Sequence, residues 1–171
     1  MKQQLKHSLI RYLLDSDATS IALHANNRKI WINLRDAFPS PYTLDDAKNF
    51  IRLSTSRKPQ TVFAVSVADQ AVGCIGIGLR QDVERISAEI GYWIGEPFWN
   101  KGIMSEAVAF LSGFAMEQFR LMRLYALPFE WNTASCHVLE KAGYQLEARL
   151  RKSAVKDGRI IDQFLYAMIR D

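Results

Sequence analysis

The sequence is poor in cysteine, proline and histidine, and it has no long apolar run. Its 171 residues include two cysteines, five prolines and three histidines. Cys74 and Cys136 are too far apart in sequence to indicate a disulfide framework or the closely spaced ligands of a metal site, so we expect no metal. No run approaches the ~20 apolar residues that a membrane span requires. The composition therefore argues against a disulfide-rich scaffold and against an integral membrane protein.

The first fourteen residues, MKQQLKHSLIRYLL, also lack the features of a secretory signal. They contain only a brief apolar patch and no cleavage site of small residues, so a cytoplasmic protein is the expectation. About half of the residues are apolar, without repeats or low complexity, which predicts one globular domain over residues 1–171. The net charge of +4 favours anionic partners only weakly, because most such excesses are solvated surface.

Hydrophobic periodicity predicts an α/β protein. From residue 61 to residue 95 the pattern predicts three antiparallel strands, after a first strand over residues 8–14. Asp157-Gly158 predicts the turn of a final hairpin. Further elements are a short strand over residues 123–128 and helices over residues 18–25, 44–53, 102–119 and 132–142. The result is a mixed sheet with helices on its faces.

The stretch from residue 86 to residue 108 joins a β-like run to a helix through a polar connection at residues 96–101. A buried strand that leads through a short loop into a helix brings free backbone N–H groups and the positive helix end to one point. A phosphate group would bind at that point. The alternative is a strand-to-helix turn without a ligand.

Five motifs occur in an order that resembles one family. They are FPSPYTLDDA at 38–47, AEIGYWI at 88–94, FWNKGIMSEA at 98–107, NTASCHVLEKAGY at 132–144, and Asp157-Gly158 with Asp162. The sequence resembles the GNAT superfamily of acetyl-CoA-dependent N-acetyltransferases, and within it the RimJ/RimL type. The resemblance implies the GNAT fold, which is a mixed, mostly antiparallel central sheet flanked by helices, with splayed central strands.

The resemblance implies that acetyl-CoA is the acetyl donor. The family's pyrophosphate loop is usually Gln/Arg-x-x-Gly-x-Gly/Ala, and residues 99–104 keep only Gly102 of its glycine core. Backbone N–H groups hold the phosphates, so the departure is tolerable. The side chain of Lys101 either adds charge there or is simply solvated. The residues expected to contact the cofactor are Tyr92, Trp93 and Ile94 along the pantetheine arm, Asn100, Lys101, Gly102, Ile103 and Met104 at the pyrophosphate, and Asn132.

Acetyl transfer needs an unprotonated amine and a stabilised thiolate. Glu89 is the one carboxylate inside the central β-run, so it is the candidate general base, acting through water; the alternative is a glutamate on an exposed strand face. Many GNAT enzymes place a tyrosine seven residues after the asparagine, where Leu139 stands here, so Ser135 is the candidate proton donor. Asn132 also serves as a helix cap. Cys136 and His137 point about 100° apart on a helix, so direct transfer is expected.

The expected acceptor is a primary amine, either a protein N-terminal α-amine or a small molecule. The proline loop at residues 38–43 would shape its pocket, with Arg35 and Tyr42 as candidate lining residues. An alternative is a non-catalytic acyl-CoA-sensing or RNA-binding module, because basic residues crowd the final hairpin. No RNA-binding aromatic motif accompanies them, so nucleic acid is the less favoured partner. The sequence leaves the oligomeric state open, a homodimer included.

Overall fold

Eight strands form one mixed sheet in residues 1–170, the part of the chain that the computed structural model describes. The sheet order is β1-β2-β3-β4-β5-β6-β8-β7. The pair β5–β6 is parallel, whereas β1–β2, β2–β3, β3–β4, β6–β8 and β7–β8 are antiparallel, which confirms the predicted mixed, mostly antiparallel sheet. The strands are β1 (Lys2–Gln4), β2 (Leu9–Tyr12), β3 (Val62–Val67), β4 (Gln70–Leu79), β5 (Ser87–Ile94), β6 (Arg123–Ala126), β7 (Gln145–Lys156) and β8 (Arg159–Ile169).

The helix over Leu44–Ser56 begins with a cap formed by two side chains. The Thr43 hydroxyl accepts a hydrogen bond from the Asp46 amide, and the Asp46 carboxylate accepts one from the Thr43 amide at 2.8 Å, which is a capping box. The segment of residues 26–35, which has no clear periodicity, contains a one-turn helix. The helices are α1 (Ala18–Ala25), α2 (Arg28–Trp31), α3 (Leu44–Ser56), α4 (Ile103–Gln118) and α5 (Thr133–Lys141). No helix of the described residues is long and apolar enough to cross a membrane.

The chain divides into two compact units. The first comprises Met1–Gly76 and Tyr92–Ala107, and the second comprises Ile77–Gly91 and the residues from Val108 onward. Strands β4 and β5 and helix α4 each contribute residues to both units. The expectation of a single domain stays a prediction.

The first unit has its core around α1 and α3. Leu13, Ile21 and Ile51 are buried there, and Trp93 packs partly buried against the same cluster. The Phe38 ring lies 4.7 Å from the Tyr42 ring and 5.9 Å from the Trp93 ring, measured between centroids. The irregular proline segment at residues 38–43 therefore packs onto the core through its aromatic side chains.

The second unit shows the two-residue alternation of strands that are buried on one face. Ala88, Ile90, Leu124 and Ala126 are buried, whereas the residues between them on β5 and β6 are half-buried. The pairing of these strands is limited to Ser87–Glu89 with Arg123–Tyr125. Strand β5 continues beyond the end of this pairing, as expected for strands that splay. Strand β6 ends two residues earlier than predicted, before Pro128, which has no N–H group for a ladder.

The β7–β8 hairpin turns at the predicted dipeptide. Asp157 and Gly158 have φ angles of 51° and 73°, the left-handed conformation that a type I′ turn requires at both central residues. The register shifts between Leu146 and Ala148 and again between Leu150 and Ala154. These irregularities act as β-bulges, so β7 is bent rather than straight.

Candidate active site

The connection between β5 and α4 is a tight, hydrogen-bonded loop. A short 3-10 turn over Glu96–Phe98 follows Gly95, and the Trp99 amide donates to the Glu96 carbonyl at 3.1 Å. Asn100 and Gly102 then adopt left-handed φ angles of 59° and 76°. The first i to i−4 bond of α4 runs from the Glu106 amide to the Gly102 carbonyl at 3.1 Å. The two left-handed residues turn the chain directly into the helix.

The amides of this loop are the ones predicted to bind phosphate. Within residues 1–170, the amide of Asn100 and those of residues 102–105 donate no hydrogen bond to another residue. A Cβ atom added at Gly102 would meet no heavy atom within 4 Å, so the loop opens into space at that point. A row of such N–H groups at the start of a sixteen-residue helix attracts an anion through hydrogen bonds and the helix dipole. The residues present therefore fit a pyrophosphate group.

Trp99 stands at the Gln/Arg position of the family's loop, and it has a clear structural role. Its indole Nε1 donates to the Ile94 carbonyl at 2.8 Å. This bond joins the end of β5 to the loop, so the structure brings the predicted strand positions and the predicted loop positions together. The sequence alone gave no sign of the bond, because it depends on the curvature of residues 95–98.

Lys101 lies at the surface of the loop. Its Nζ atom is 5.5 Å from the centroid of the Phe98 ring, within the range of a cation–π contact. Ile103 and Met104 have buried side chains in the first turn of α4, so only their backbone groups are suited to an anion. A phosphate contact of the Lys101 side chain stays a prediction.

Glu89, the candidate base, lies on the half-buried face of β5 and has a positively charged partner. The Arg80 guanidinium donates to Glu89 Oε2 at 3.2 Å and, through Nε, to the Tyr125 hydroxyl at 2.6 Å. The Glu89 side chain is 23% exposed and that of Arg80 is 42% exposed. A Cβ atom at Gly78 would lie 3.7 Å from the Glu89 carbonyl oxygen and 4.0 Å from Glu89 Cβ, which are ordinary van der Waals contacts.

Arg80 and Tyr125 were not identified as site residues from the sequence. Tyr125 pairs directly with Glu89 in the parallel register of β6 and β5, and Arg80 follows β4 two residues after Gly78. The hydrogen bond to Tyr125 holds the pKa of the Arg80 guanidinium above its ordinary value. Strand register cannot be read from a single sequence, so the group was not predictable as a unit.

The start of α5 carries the other two predicted residues. The Asn132 side chain accepts a hydrogen bond from the Ser135 amide at 3.2 Å, which confirms the predicted cap. Ser135 is half-buried, whereas Leu139, at the family's tyrosine position, is fully buried. Burial raises the pKa of the Cys136 thiol, which disfavours the thiolate that a nucleophile would need.

Two further aromatic side chains lie in the core. Tyr144 is buried, and its hydroxyl is 2.8 Å from that of Ser112. Tyr42, a candidate for the acceptor pocket, is only 6% exposed, and burial raises its pKa. Tyr42 therefore packs into the core of the first unit, and its place in an acceptor pocket stays a prediction. Residues 1–170 contain no group of three or more His, Cys, Asp or Glu side chains that could hold a metal ion.

Comparisons with known proteins identify the family of the chain. Residues 8–145 match the model of the acetyltransferase (GNAT) domain. A relative from Bacillus licheniformis, described as the uncharacterized N-acetyltransferase p20, is 33% identical over 106 residues, which are 62% of this chain and 59% of that protein. A second relative, the uncharacterized N-acetyltransferase YoaA from Bacillus subtilis, is matched over 56% of its length, so the chain spans less than two thirds of either relative.

Solved structures show the same fold at low sequence identity. RimL, the ribosomal L7/L12 α-N-protein acetyltransferase in complex with coenzyme A, superimposes with a TM-score of 0.85 at 17% identity, covering 96% of this chain and 95% of that chain. RimJ from Mycobacterium smegmatis, in complex with CoA-disulfide, gives a TM-score of 0.84 at 20% identity, with coverages of 95% and 81%. Both comparisons concern the fold.

Proposed function

The chain belongs to the GNAT acetyltransferase family, and from that premise we propose that it transfers an acetyl group from acetyl-CoA to a primary amine in one direct step. The observation that carries the proposal is the row of backbone amides at residues 100–105. They lie where a left-handed glycine leads into α4, with open space in front of that glycine. Acetyl-CoA supplies the activated thioester.

The chain's own residues would divide the binding as follows. The amides of Asn100, Lys101, Gly102, Ile103 and Met104 hold the pyrophosphate. Main-chain groups of Tyr92, Trp93 and Ile94 bind the extended pantetheine arm. The Ile94 carbonyl also accepts a hydrogen bond from Trp99 Nε1, which fixes the orientation of this peptide group. Asn132 is proposed as a further cofactor contact, in addition to its role as the cap of α5.

Two residues are proposed to move or hold protons. Glu89 accepts, through water, the proton that the attacking amine loses, and Arg80 fixes the direction of one of its carboxylate oxygens. The new C–N bond forms as the C–S bond of the thioester breaks, and the sulfur leaves as a thiolate. The Ser135 hydroxyl donates a hydrogen bond to that sulfur and stabilises its charge.

The acceptor is proposed to be a protein N-terminal α-amine or a small-molecule amine. The fold similarity to RimL, whose description names a ribosomal protein, supports testing N-terminal peptides first. A panel of such peptides and of small amines, scored by thiol release, would separate the two classes. Equal inactivity of the whole panel with intact coenzyme A binding would favour an acyl-CoA sensor.

The RNA-binding alternative is weakened by the pairing of the hairpin's charges. Arg149 donates to Asp162 at 2.6 Å and to Glu130 at 2.9 Å, so its charge is balanced by two carboxylates. Binding of RNA that falls steeply with salt and does not respond to coenzyme A would revive this alternative.

The first experiment is thermal unfolding with and without acetyl-CoA. At a hundredfold excess over the dissociation constant, a ligand that binds only the folded state adds about 2.7 kcal/mol. For a domain of this size, that raises the midpoint by roughly 5–10 °C. If the unfolding midpoint does not shift at any acetyl-CoA concentration, the loop at residues 99–104 does not bind this cofactor.

A further inference from the structure

The 3-10 turn Glu96–Phe98, which precedes the amides of residues 100–105, is attached to the α1–α2 segment through one carboxylate. Glu96, the first residue of the turn, accepts a hydrogen bond from Asn27 Nδ2 at 2.7 Å through Oε2. Its other oxygen forms an ion pair with Lys29 Nζ. Both partners belong to the start of α2, which follows α1 after two residues. The carboxylate thus bridges the loop and the helices.

Asn27 uses both ends of its side-chain amide. Its Oδ1 accepts from the Lys29 amide at 2.8 Å and caps α2, while its Nδ2 binds Glu96. The position of Glu96 is therefore set by the same residue that starts the helix. A rotation of the Asn27 side chain would break the cap and the bridge together.

Packing at His24 supports the same attachment. A Cβ atom at Gly95 would lie 2.8 Å from His24 Nδ1, so only glycine allows the chain to pass this close to α1. The His24 ring also meets the Phe98 ring edge-on, at 5.4 Å between centroids. The His24 ring thus contacts the turn at Gly95 and at Phe98, and the ion pair of Glu96 with Lys29 holds it between these two contacts.

We propose that Glu96 is a positioning residue that fixes the phosphate-binding loop against α1 and α2 and transmits occupation of the loop to these helices. The ligand in this statement rests on the proposed function. Linkage makes the effect reciprocal: whatever coenzyme A stabilises in α1 and α2 also tightens its own binding. The α2 segment leads into the proline loop at residues 38–43, so the ligand would order the chain that precedes that loop.

The test is hydrogen exchange of the full chain with and without coenzyme A. In the wild-type chain, coenzyme A should slow exchange both at residues 100–106 and at residues 18–31. Glu96→Gln loses the charge that pairs with Lys29. In this variant, the protection of residues 18–31 by coenzyme A should fall at least threefold, while the protection of residues 100–106 remains. Asn27→Asp should act in the same way, because aspartate still caps α2 but places a second carboxylate beside Glu96.

Two further variants make the comparison specific. Lys29→Met removes the same ion pair and keeps the Asn27 bond, so it should reduce the protection of residues 18–31 to a similar extent as Glu96→Gln. Lys48→Met is the matched control, because it removes an exposed pair to Asp45 at 3.7 Å on α3, away from the loop, and should leave both protections unchanged. Coenzyme A affinity should fall by no more than about fivefold in Glu96→Gln, since the exposed ion pair with Lys29 is lost.

The possible outcomes separate this inference from the proposed function. Binding of coenzyme A by calorimetry without protection of residues 18–31 in the wild-type chain would overturn the inference alone. Full protection of these residues in both Glu96→Gln and Asn27→Asp would overturn it as well. Absence of coenzyme A binding to the wild-type chain would overturn the inference and the proposed function together.

Discussion

Replacement of Gly102 tests whether the loop binds phosphate. Its φ of 76° is readily accessible to glycine, whereas a β-branched residue in this conformation costs about 1–2 kcal/mol. A Cβ atom there meets nothing within 4 Å, so Gly102→Val should fold, with only this backbone strain as the penalty. The added methyl groups occupy the space that a phosphate would need.

The effect on binding should exceed the effect on stability. Hydrogen bonds to a charged group contribute about 1.5–3 kcal/mol each, so loss of two amide contacts weakens acetyl-CoA by on the order of 10²–10⁴-fold. The strain alone lowers the midpoint of thermal unfolding by about 2–8 °C. Calorimetric titration with acetyl-CoA and thermal unfolding measure the two effects separately.

A second glycine on the same helix supplies the control. Gly113 lies exposed inside α4, and a Cβ atom there also meets nothing within 4 Å. Gly113→Ala should stabilise the chain by about 0.4–1 kcal/mol without affecting binding. The double variant Gly102→Val/Gly113→Ala should therefore recover part of its stability and none of its affinity. Unchanged affinity in a folded Gly102→Val chain would refute the phosphate assignment.

Three other predictions concern the remaining residues. Glu89→Gln should lower kcat/KM by on the order of 10²–10⁴-fold, as for loss of a general base. Arg80→Met should lower kcat/KM by only roughly two- to fivefold, because a partly exposed ion pair contributes about 0.2–1 kcal/mol. Equal kcat/KM values for Glu89→Gln and wild type would exclude Glu89 as the general base. Tyr144→Phe should lower the unfolding midpoint by roughly 2–12 °C, because Ser112 loses a buried partner worth about 1–3 kcal/mol, with acetyl-CoA affinity unchanged. The bonds to the Thr43 hydroxyl and amide hold the pKa of Asp46 below its ordinary value. The stabilisation by the Asp46 carboxylate is therefore present at neutral pH and is lost as pH falls through the lowered pKa. Denaturant unfolding should show Asp46→Asn less stable than wild type at pH 7 and equal to it in strong acid.

The sequence predicted features that depend on local chemistry. The cap at Asn132, the left-handed turn at Asp157-Gly158 and the loop before α4 each involve a few neighbouring residues with strong conformational preferences. Long periodic elements were also predictable, such as α4, whose bounds differ from the prediction by one residue at each end.

Features that depend on distant residues were not predictable. The Arg80 to Tyr125 contact requires the register of three strands, and the bridge from Glu96 to Asn27 joins residues 69 positions apart. Strand β1 was missed because Lys2–Gln4 is short and exposed, without the alternation that indicates a strand. Single sequences carry no signal for such pairings unless a motif accompanies them.

The two outer strands of the sheet have features that oppose association through open backbone edges. At one border, β1 has only three residues, all exposed and one of them lysine. At the other border, β7 carries Arg149 between its two register shifts and Arg151 and Lys152 within the second shift. Short length, positive charge and bulges each hinder a second chain from adding a strand. Replacing these basic residues by uncharged ones should therefore leave β7 more open to pairing with a strand of a second chain.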